Sequence, residues 1–384
     1  MSTGDVEVDV CVVGLGPTGR GLAARCLARG LSVAAVDPHP DRPWVPTYSC
    51  WVDELPDWLP PSVIASRVAA PTVWTTIEHR IERPYAVMSK TELWKALPTA
   101  GARVVAQKAA QVGAHRVEVA DGTAITAAVV FDCRGLPPVG TRPAASAHGI
   151  FIAAERVADY VAPDEALLLD WRNENDAAPD APPSFLYSVP IGDGTVIFEE
   201  TTLGIPGGLT QRELRRRLIA RLRTHGIELD GSEHSESCHY PLDQPPPRRH
   251  GHKREPIPFG SRGGMMHPCT GYSVADSLAL ADTAVEAIVA GEDAVKQLWT
   301  PSARAVYWMR MRGLTGMGRL TTEQTVAMFD SFFTASPRGQ RALLSAHDDA
   351  VALGAVLFNT VAHTWPFRWR FDLVGWTNRK RWAV

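Results

Sequence analysis

The sequence predicts an α/β fold in which a Rossmann-like dinucleotide-binding domain is interleaved with a smaller domain of β-sheet plus helix. Three observations carry this reading. An apolar strand near the N-terminus runs into a glycine cluster that opens a helix, a second apolar strand ending in an acid follows it, and the middle of the chain turns to strand-like segments set between stretches rich in glycine and proline. At 384 residues the chain is long enough for two to three domains, or for one large enzyme built from interleaved halves.

Residues 8–14 (VDVCVVG) form the first strand, and residues 19–29 (GRGLAARCLAR) follow as a helix with Leu22, Cys26 and Leu27 on one side. Residues 31–37 (LSVAAVD) are a second buried strand, completing a βαβ unit. Between them, Gly14, Gly16 and Gly19 in GLGPTG fit the G-x-G-x-x-G turn, with Pro17 at the helix start and Asp37 closing the second strand. The glycines allow a tight turn and close backbone approach, the helix N-terminus favours a pyrophosphate, and Asp37 can accept ribose hydroxyls.

The 31 glycines and 30 prolines gather at 38–61, 174–183, 204–208 and 241–260, which read as loops or domain crossings. Residues 167–172 and 185–202 are strand-like, and Gly192-Asp193-Gly194 is a hairpin turn. Thr210 with Glu213 is a capping box for a helix whose apolar face is Leu214, Leu218, Ile219 and Leu222. Arg215, Arg216, Arg217, Arg221 and Arg223 lie mostly off that face, either as a solvated surface or as a contact with an anionic membrane. The resulting boundaries are 1–60, 84–140 and 255–295 for the dinucleotide-binding domain, 61–83 and 141–254 for the substrate domain, and 296–384 for a C-terminal helical region.

Composition removes several classes of function. With 45% hydrophobic and 21% charged residues the chain is globular, and a net charge of −3 lacks the basic excess of a nucleic-acid binder. Six scattered cysteines, with no CxxC pair and no His/Cys cluster, signal neither a metal site nor a disulfide framework. The opening MSTGDVEVDV is acidic where a signal peptide is basic, and Ala350 to Phe358 is too short to span a bilayer. A cytoplasmic protein is expected, free or lying on the inner face of a membrane.

A dinucleotide turn alone does not choose between NAD and FAD. In FAD enzymes of the glutathione-reductase type the N-terminal fold is completed by two later segments. Residues 127–135 (AAVVFDCRG), a strand ending in Asp132 and Gly135, and residues 263–275 (GGMMHPCTGYSVA), a glycine-rich turn before a helix, occur in that order. Taken alone, the first is also an ordinary buried strand and the second an ordinary helix start at Thr270 or Ser273.

Several motifs together resemble the lycopene cyclase family of FAD-dependent carotenoid enzymes. After GLGPTG, Tyr48-Ser49-Cys50-Trp51-Val52-Asp53-Glu54-Leu55 resembles Y-G-x-W-x-D-E-L, and Arg83-Pro84-Tyr85 resembles R-P-Y. Asp170-Trp171-Arg172 is similar to M-D-W-R, and Phe185-Leu186-Tyr187 with Pro190 to F-L-Y-x-x-P. Ile197-Phe198-Glu199-Glu200-Thr201 resembles F-L-E-E-T, and Met266-His267-Pro268-Cys269-Thr270-Gly271-Tyr272 resembles M-x-H-P-x-T-G-Y. The likeness runs over roughly residues 8 to 290. Beyond it, Met328-Phe329-Asp330-Ser331-Phe332-Phe333 is loosely similar to an M-F-x-x-F-F helix. The chain departs from the family at Ala144-Ala145-Ser146-Ala147-His148-Gly149, where T-A-Y-G is common, and at Asp243, where P-M-G-G is common. These two places are expected to touch substrate or flavin.

The resemblance implies a non-redox cyclase that requires reduced FAD, with NADPH or NADH as reductant. Lycopene, or another linear polyprenoid, would be protonated at a terminal double bond, closed by a neighbouring alkene and deprotonated to leave a ring. Such chemistry needs a proton donor in a water-free cavity, a stabiliser for the carbocation and a base. Glu199 and Glu200 are the candidate acids. They are adjacent on a predicted strand, so one of them is expected to face the cavity, and Glu199 aligns with the first Glu of the family motif. A desolvated carboxyl there would stay protonated.

Trp51, Trp171 and Tyr187 are candidates for cation–π support, or plain core packing. Asp53 and Glu54 are second carboxylate candidates, either for deprotonation or for holding the flavin loop. His148 is a candidate substrate contact. Arg83, Asp132, Gly135, Met266, His267, Pro268, Thr270 and Gly271 join the glycine turn as implied flavin contacts, with His267 alternatively a cap for the next helix. A second enzyme class on the same fold is an FAD-dependent monooxygenase or halogenase, although the W-x-W-x-I-P segment usual in halogenases is absent. The tail mixes Trp365, Trp369, Trp376 and Trp382 with Arg368, Arg370, Arg379, Lys380 and Arg381, either a membrane-interface segment or a packed helix.

Overall fold

Strand β1 (Val6–Val13) alternates its side chains between two cores. Val10 and Val12 pack with Leu22, Cys26, Ala281 and Val285 on one side of the first sheet, and Cys11 and Val13 pack with Val117, Ile125 and Val130 on the other. Each fully buried Val or Leu contributes about 1.5–3 kcal/mol. A computed structural model describes residues 6–248, 255–363 and 370, so the tryptophan- and arginine-rich tail lies outside the described residues apart from Arg370.

The chain continues with α1 (Pro17–Ala28), β2 (Val33–Val36), β3 (Ser49–Trp51), β4 (Ile64–Val68), β5 (Thr72–Trp74), β6 (Glu78–Arg80), β7 (Tyr85–Met88) and α2 (Lys90–Ala96). Strands β8 (Arg103–Val105), β9 (Ala109–Val112), β10 (Arg116–Val119), β11 (Ala124–Asp132), β12 (Pro143–Ala153), β13 (Leu167–Asp170), β14 (Phe185–Pro190) and β15 (Thr195–Pro206) follow. Then come α3 (Gln211–Thr224), β16 (Ser235–Pro241), β17 (Ile257–Pro258), α4 (Val274–Val289) and α5 (Ala294–Leu298). The described chain closes with α6 (Pro301–Met317), α7 (Thr322–Phe333), α8 (Pro337–Leu344) and α9 (Ala350–His363).

The first sheet has the order β8-β2-β1-β11-β10-β9, with β17 also on β11. Its parallel members are β8, β2, β1, β11 and β17, and β10 and β9 return antiparallel. Helices α1 and α4 pack on it and are tied by Arg25 to Asp282 and Arg29 to Glu286, both at 2.6 Å. The second sheet, order β16-β12-β15-β14-β13-β5-β6, is antiparallel except for the β13–β5 pair. A third, β3-β7-β4, falls in sequence between β2 and β8 of the first. The molecule thus has the α/β class expected, a Rossmann-like sheet joined to a β-sheet-plus-helix unit.

One face of the second sheet carries α3, where Ile150, Ile152, Leu186, Val196 and Phe198 meet Leu218 and Leu222. The other face turns toward the C-terminal helices α6 to α9, whose Val306, Met317, Phe329, Phe332 and Val356 share a core with Phe185, Val189 and Ile197. The arginines of α3 depart from expectation. Arg215, Arg216 and Arg223 are exposed, but Arg217 and Arg221 are buried, because Ser184 and Glu200 of the sheet below supply their partners. Thr210 caps α3 by accepting the Glu213 N–H, whereas the Glu213 carboxylate binds Arg216 and Arg217 instead of closing a reciprocal box.

Candidate active site

Strand alternation along β15 decides the surroundings of its two glutamates. Val196, Phe198 and Glu200 face α3, while Ile197, Glu199, Thr201 and Leu203 face a cavity of about 840 Å³. The cavity lies between the second sheet, the loop before β3, the start of α4 and helices α6, α7 and α9. Its walls are mainly apolar and aromatic, with Phe185, Tyr187, Trp51, Met309, Phe329 and Phe332 among them.

Glu199 accepts a hydrogen bond from the Thr201 hydroxyl at 2.9 Å. Burial pushes its carboxyl up to about 7, against the Thr201 bond and helped by the nearby Glu236. A fair share of Glu199 is therefore protonated at neutral pH, the condition for an acid aimed at an apolar space. Glu200 is a different object. It is fully buried, forms an ion pair with Arg221 at 3.0 Å, and accepts from Asn175 and Ser184 at 2.6 Å each. As a candidate acid it is corrected: its oxygens are engaged on the α3 side and none reaches the cavity.

Sequence reasoning missed Glu236, which lines the same cavity from β16. Its oxygens accept the Thr47 N–H at 3.0 and 3.1 Å and the Thr47 hydroxyl at 2.8 Å, and the Cys238 thiol lies at 3.6 Å. Donor atoms of Glu199, Glu236 and Cys238 all lie within 4.8 Å of one another. The one available signal was the alternation of Glu236, Cys238 and Tyr240, which says nothing of the strand they sit beside.

Tyr187 and Trp51 line the cavity, as does Tyr272 of the H-P-C-T-G-Y segment. The Tyr85 hydroxyl bonds to those of Tyr272 (2.6 Å) and Tyr187 (3.2 Å), and Tyr187 donates to Ser49 (2.8 Å). Trp171 is corrected to packing. It sits behind the wall, between Phe185 at 4.8 Å and Phe329 at 5.4 Å.

Asp53 and Glu54 are likewise outside the cavity. Both bind Arg83, which lies over Trp51 at 4.6 Å and also donates to Ser345. Arg83 therefore clamps the 53–54 turn to the end of α8, and burial raises Glu54 above its usual range despite Arg83. His148 is on the wrong face for a substrate contact, in register with Glu200 and Ser237 on the α3 side, and burial lowers its pKa. Its neighbours Ala145, Ala147 and Gly149 are the members of that segment turned to the cavity. Asp243 is held by Arg142 at 2.7 Å and does not line the cavity.

The G-x-G-x-x-G turn has the geometry of an anion cradle. Gly14 has φ +100, and a Cβ there would come within 2.7 Å of the Cys133 carbonyl oxygen; one at Gly19 would collide with the carbonyl oxygen of Gly14. A Cβ at Gly16 would meet nothing within 4 Å. Pro17 starts α1, whose N-terminus has no side-chain cap and no acid in its first turn. These free N–H groups and the open side at Gly16 fit a pyrophosphate. Asp37 accepts the N–H groups of Leu15 and His39, each at 2.7 Å, and retains lone pairs for a ribose hydroxyl.

Asp132, at the end of β11 beside Val13, is committed to Arg134 (2.8 Å) and Arg262 (2.6 Å). Burial would raise its pKa, but these arginines outweigh it and hold it low. It braces the turn and the Gly260–Gly263 segment. Gly135 has φ +80, and the Arg262 side chain bonds its carbonyl.

Met266, Thr270 and Gly271 line the large cavity, and His267 and Pro268 a small one of about 30 Å³ beside it. His267 holds the turn together. Its Nδ1 accepts the N–H groups of Cys269 and Thr270, its Nε2 donates to the Leu343 carbonyl, and burial keeps it neutral. It does not cap α4; the N-cap is Ser273, with no side-chain cap bond.

A family model described as "Lycopene cyclase protein" matches residues 9–359. The chloroplastic lycopene beta cyclase of an Oncidium hybrid cultivar is 30% identical, over 91% of this chain and 81% of its own length. A protein of Deinococcus radiodurans described as an uncharacterized carotenoid cyclase is 29% identical, over 93% of this chain and 90% of its own. Among solved structures, a geranylgeranyl bacteriochlorophyll reductase-like protein of Thermoplasma acidophilum superposes with a TM-score of 0.66 at 15% identity, covering 96% of this chain and 100% of its own. A variant of the halogenase PltM in complex with FAD does so with a TM-score of 0.59 at 12% identity, over 95% and 85%. At such identities the structural likeness is one of fold.

Proposed function

The chain belongs to the lycopene cyclase family, and from that premise we infer that it is a carotenoid cyclase, an enzyme that closes a ring on a linear polyene by intramolecular isomerisation. The observation that carries the reading is Glu199, a carboxyl raised to about 7 that opens on an apolar and aromatic cavity of about 840 Å³. A cavity of that size and lining suits the end of a hydrocarbon.

Glu199 donates its proton to a terminal double bond, and the neighbouring alkene closes on the resulting cation. The apolar walls keep out water that would trap that cation, and Tyr187, level with Glu199 on the next strand, offers it an aromatic ring. Loss of a proton from a carbon beside the cation leaves the ring double bond. No net oxidation takes place, so substrate and product have equal mass.

The cofactor of this reading is FAD. The turn of Gly14, Gly16, Pro17 and Gly19 would hold its pyrophosphate and Asp37 its ribose, with Met266, Thr270 and Gly271 lining the cavity where the ring system would lie. Bound in reduced form, with NADPH or NADH as reductant, it would supply an electron-rich surface toward the carbocation.

The preferred substrate is lycopene, with another linear polyprenoid as the alternative. Delivery from a membrane surface is supported by one part of the cavity wall, where Trp308 and Arg312 of α6 and Leu357 and Val361 of α9 are among the lining residues. Trp308 is 58% exposed and lies under Arg312 at 5.0 Å, and Phe358 on α9 is 74% exposed. Aromatic and basic groups in this mixture favour an interface. No helix among the described residues is long and apolar enough to cross a membrane.

The test is anaerobic incubation of flavin-loaded protein with NADPH and lycopene in liposomes. A product of unchanged mass and altered absorption, formed without stoichiometric loss of NADPH, is expected. In a parallel incubation in air, consumption of NADPH with oxygen, and a product heavier by oxygen or halogen, would instead make this a monooxygenase or halogenase.

A further inference from the structure

We propose that Glu236 is the base of the cyclisation, accepting the proton that the ring cation loses and passing it back to Glu199. The assignment rests on the cyclase reading above and deepens it.

The argument starts from register. Central strand β12 pairs on one side with β15 and on the other with β16, and Gly149 is the partner of both Glu199 and Glu236. Residues level with one another across antiparallel strands point to the same face. Two glutamates separated by one strand would normally have a side chain between them. At Gly149 there is none: a Cβ there would come within 2.9 Å of Ile197 Cδ1 and 3.5 Å of Glu199 Oε2. The missing side chain leaves a gap across which the carboxylates face each other, with an oxygen of each within 4.8 Å. The flanking rungs keep the trough narrow in the middle, with Ala147 between Thr201 and Cys238, and Ala145 between Leu203 and Tyr240.

Glu199 and Glu236 are the carboxylates that line the cavity among the described residues. The other ionisable groups around Glu236 are poor bases for this step. Burial pushes the thiol of Cys238 and the hydroxyls of Tyr48 and Tyr240 up, so they stay protonated. His239, which also borders the cavity, has its Nδ1 taken by the Ser146 hydroxyl at 2.9 Å. Glu236 meets donors from Thr47 and Cys238, the arrangement a carboxylate needs, and Thr47 fixes its orientation.

The step balances without an added reagent. Glu199 gives a proton to the terminal alkene carbon, and the second alkene's electron pair forms the ring bond. The C–H bond beside the new cation then breaks, its electrons form the ring double bond, and its proton goes to Glu236. Transfer from Glu236 to the Glu199 carboxylate across the gap, once the product has left, restores both groups.

The experiment compares wild type with Glu236→Gln and Glu236→Asp on lycopene, unlabelled or deuterated at the carbon that loses the proton. The amide keeps the size of the side chain, and its oxygen can still accept the Thr47 N–H and hydroxyl. Expected for Glu236→Gln are a loss of kcat on the order of 10²-fold or more with little change in KM, and an enlarged primary isotope effect as deprotonation becomes limiting. Glu236→Asp, which keeps a base but withdraws it, should fall between. A Glu236→Gln enzyme with wild-type kcat, or one whose isotope effect is unchanged, overturns the assignment. So does a Glu236→Asp enzyme with an unchanged isotope effect, should Glu236→Gln not retain flavin. Wild-type protein that cyclises no polyene overturns the cyclase reading itself, a result distinct from these.

Discussion

Glu199 and Glu200 are neighbours on β15, yet their carboxyl groups stand on opposite faces of the sheet and in opposite chemical states. Glu199 opens on the cavity with a raised pKa, whereas Glu200 is sealed under α3 against Arg221. The two substitutions must therefore fail in different ways. Glu199→Gln should leave folding and flavin content intact while cyclisation drops on the order of 10²- to 10⁴-fold, as loss of a general acid does. Product yield per bound flavin measures it.

Removing Glu200 acts on stability. Glu200→Ala strands the Arg221 guanidinium in the interior, a loss of about 3–5 kcal/mol for a broken buried pair. Urea unfolding should report it, and the same variant with Arg221→Met should recover much of the loss because no unpaired charge remains.

The pH dependence follows from the direction of the Glu199 shift. The reactive form of Glu199 is the protonated one, so kcat should fall about tenfold per unit above about 7. A profile of kcat over the alkaline range checks this. A limb displaced toward the ordinary carboxylate range would mean that the acid is not held in the dry cavity.

Cofactor binding can be separated from folding at Gly16. A side chain there meets open space, and aspartate is a good N-cap, so Gly16→Asp should keep or slightly raise the stability of α1. Its charge stands where a pyrophosphate would lie. Purified Gly16→Asp protein should be folded by circular dichroism and empty of FAD by absorbance.

Trp308 and Phe358 are exposed on α6 and α9, two helices that line the cavity. Trp308→Ser with Phe358→Ser should weaken sedimentation with anionic liposomes and raise KM for liposomal lycopene, with kcat on detergent-dispersed substrate little changed. Unaltered liposome binding by the double variant would remove this face as the docking surface.

Much of the site was legible because it follows local rules. A period of two along residues 197–201 requires that one of two adjacent glutamates face away, and G-x-G-x-x-G between two apolar strands is a turn with few uses. The illegible part depends on which strands lie side by side. Arg217 and Arg221 read as surface charges on an amphipathic helix, and partners from other segments, Ser184 and Glu200 among them, make burial tolerable. Asp53 and Glu54 read as acids near a flavin, and Arg83 takes them both. Trp171, so close to cavity residues in sequence, is one layer too deep.

The sequence by itself determined the α/β class, the dinucleotide turn and the family likeness, since each is written in contiguous residues whose backbone preferences act over one strand, turn or helix. Tertiary structure decided which acid meets which. Glu199 and Glu236 belong to different strands and come together through their shared partner Gly149 on a third. Register of that kind is set by side-chain packing over two whole sheet faces, and a shift of one residue would turn both carboxylates away from the cavity.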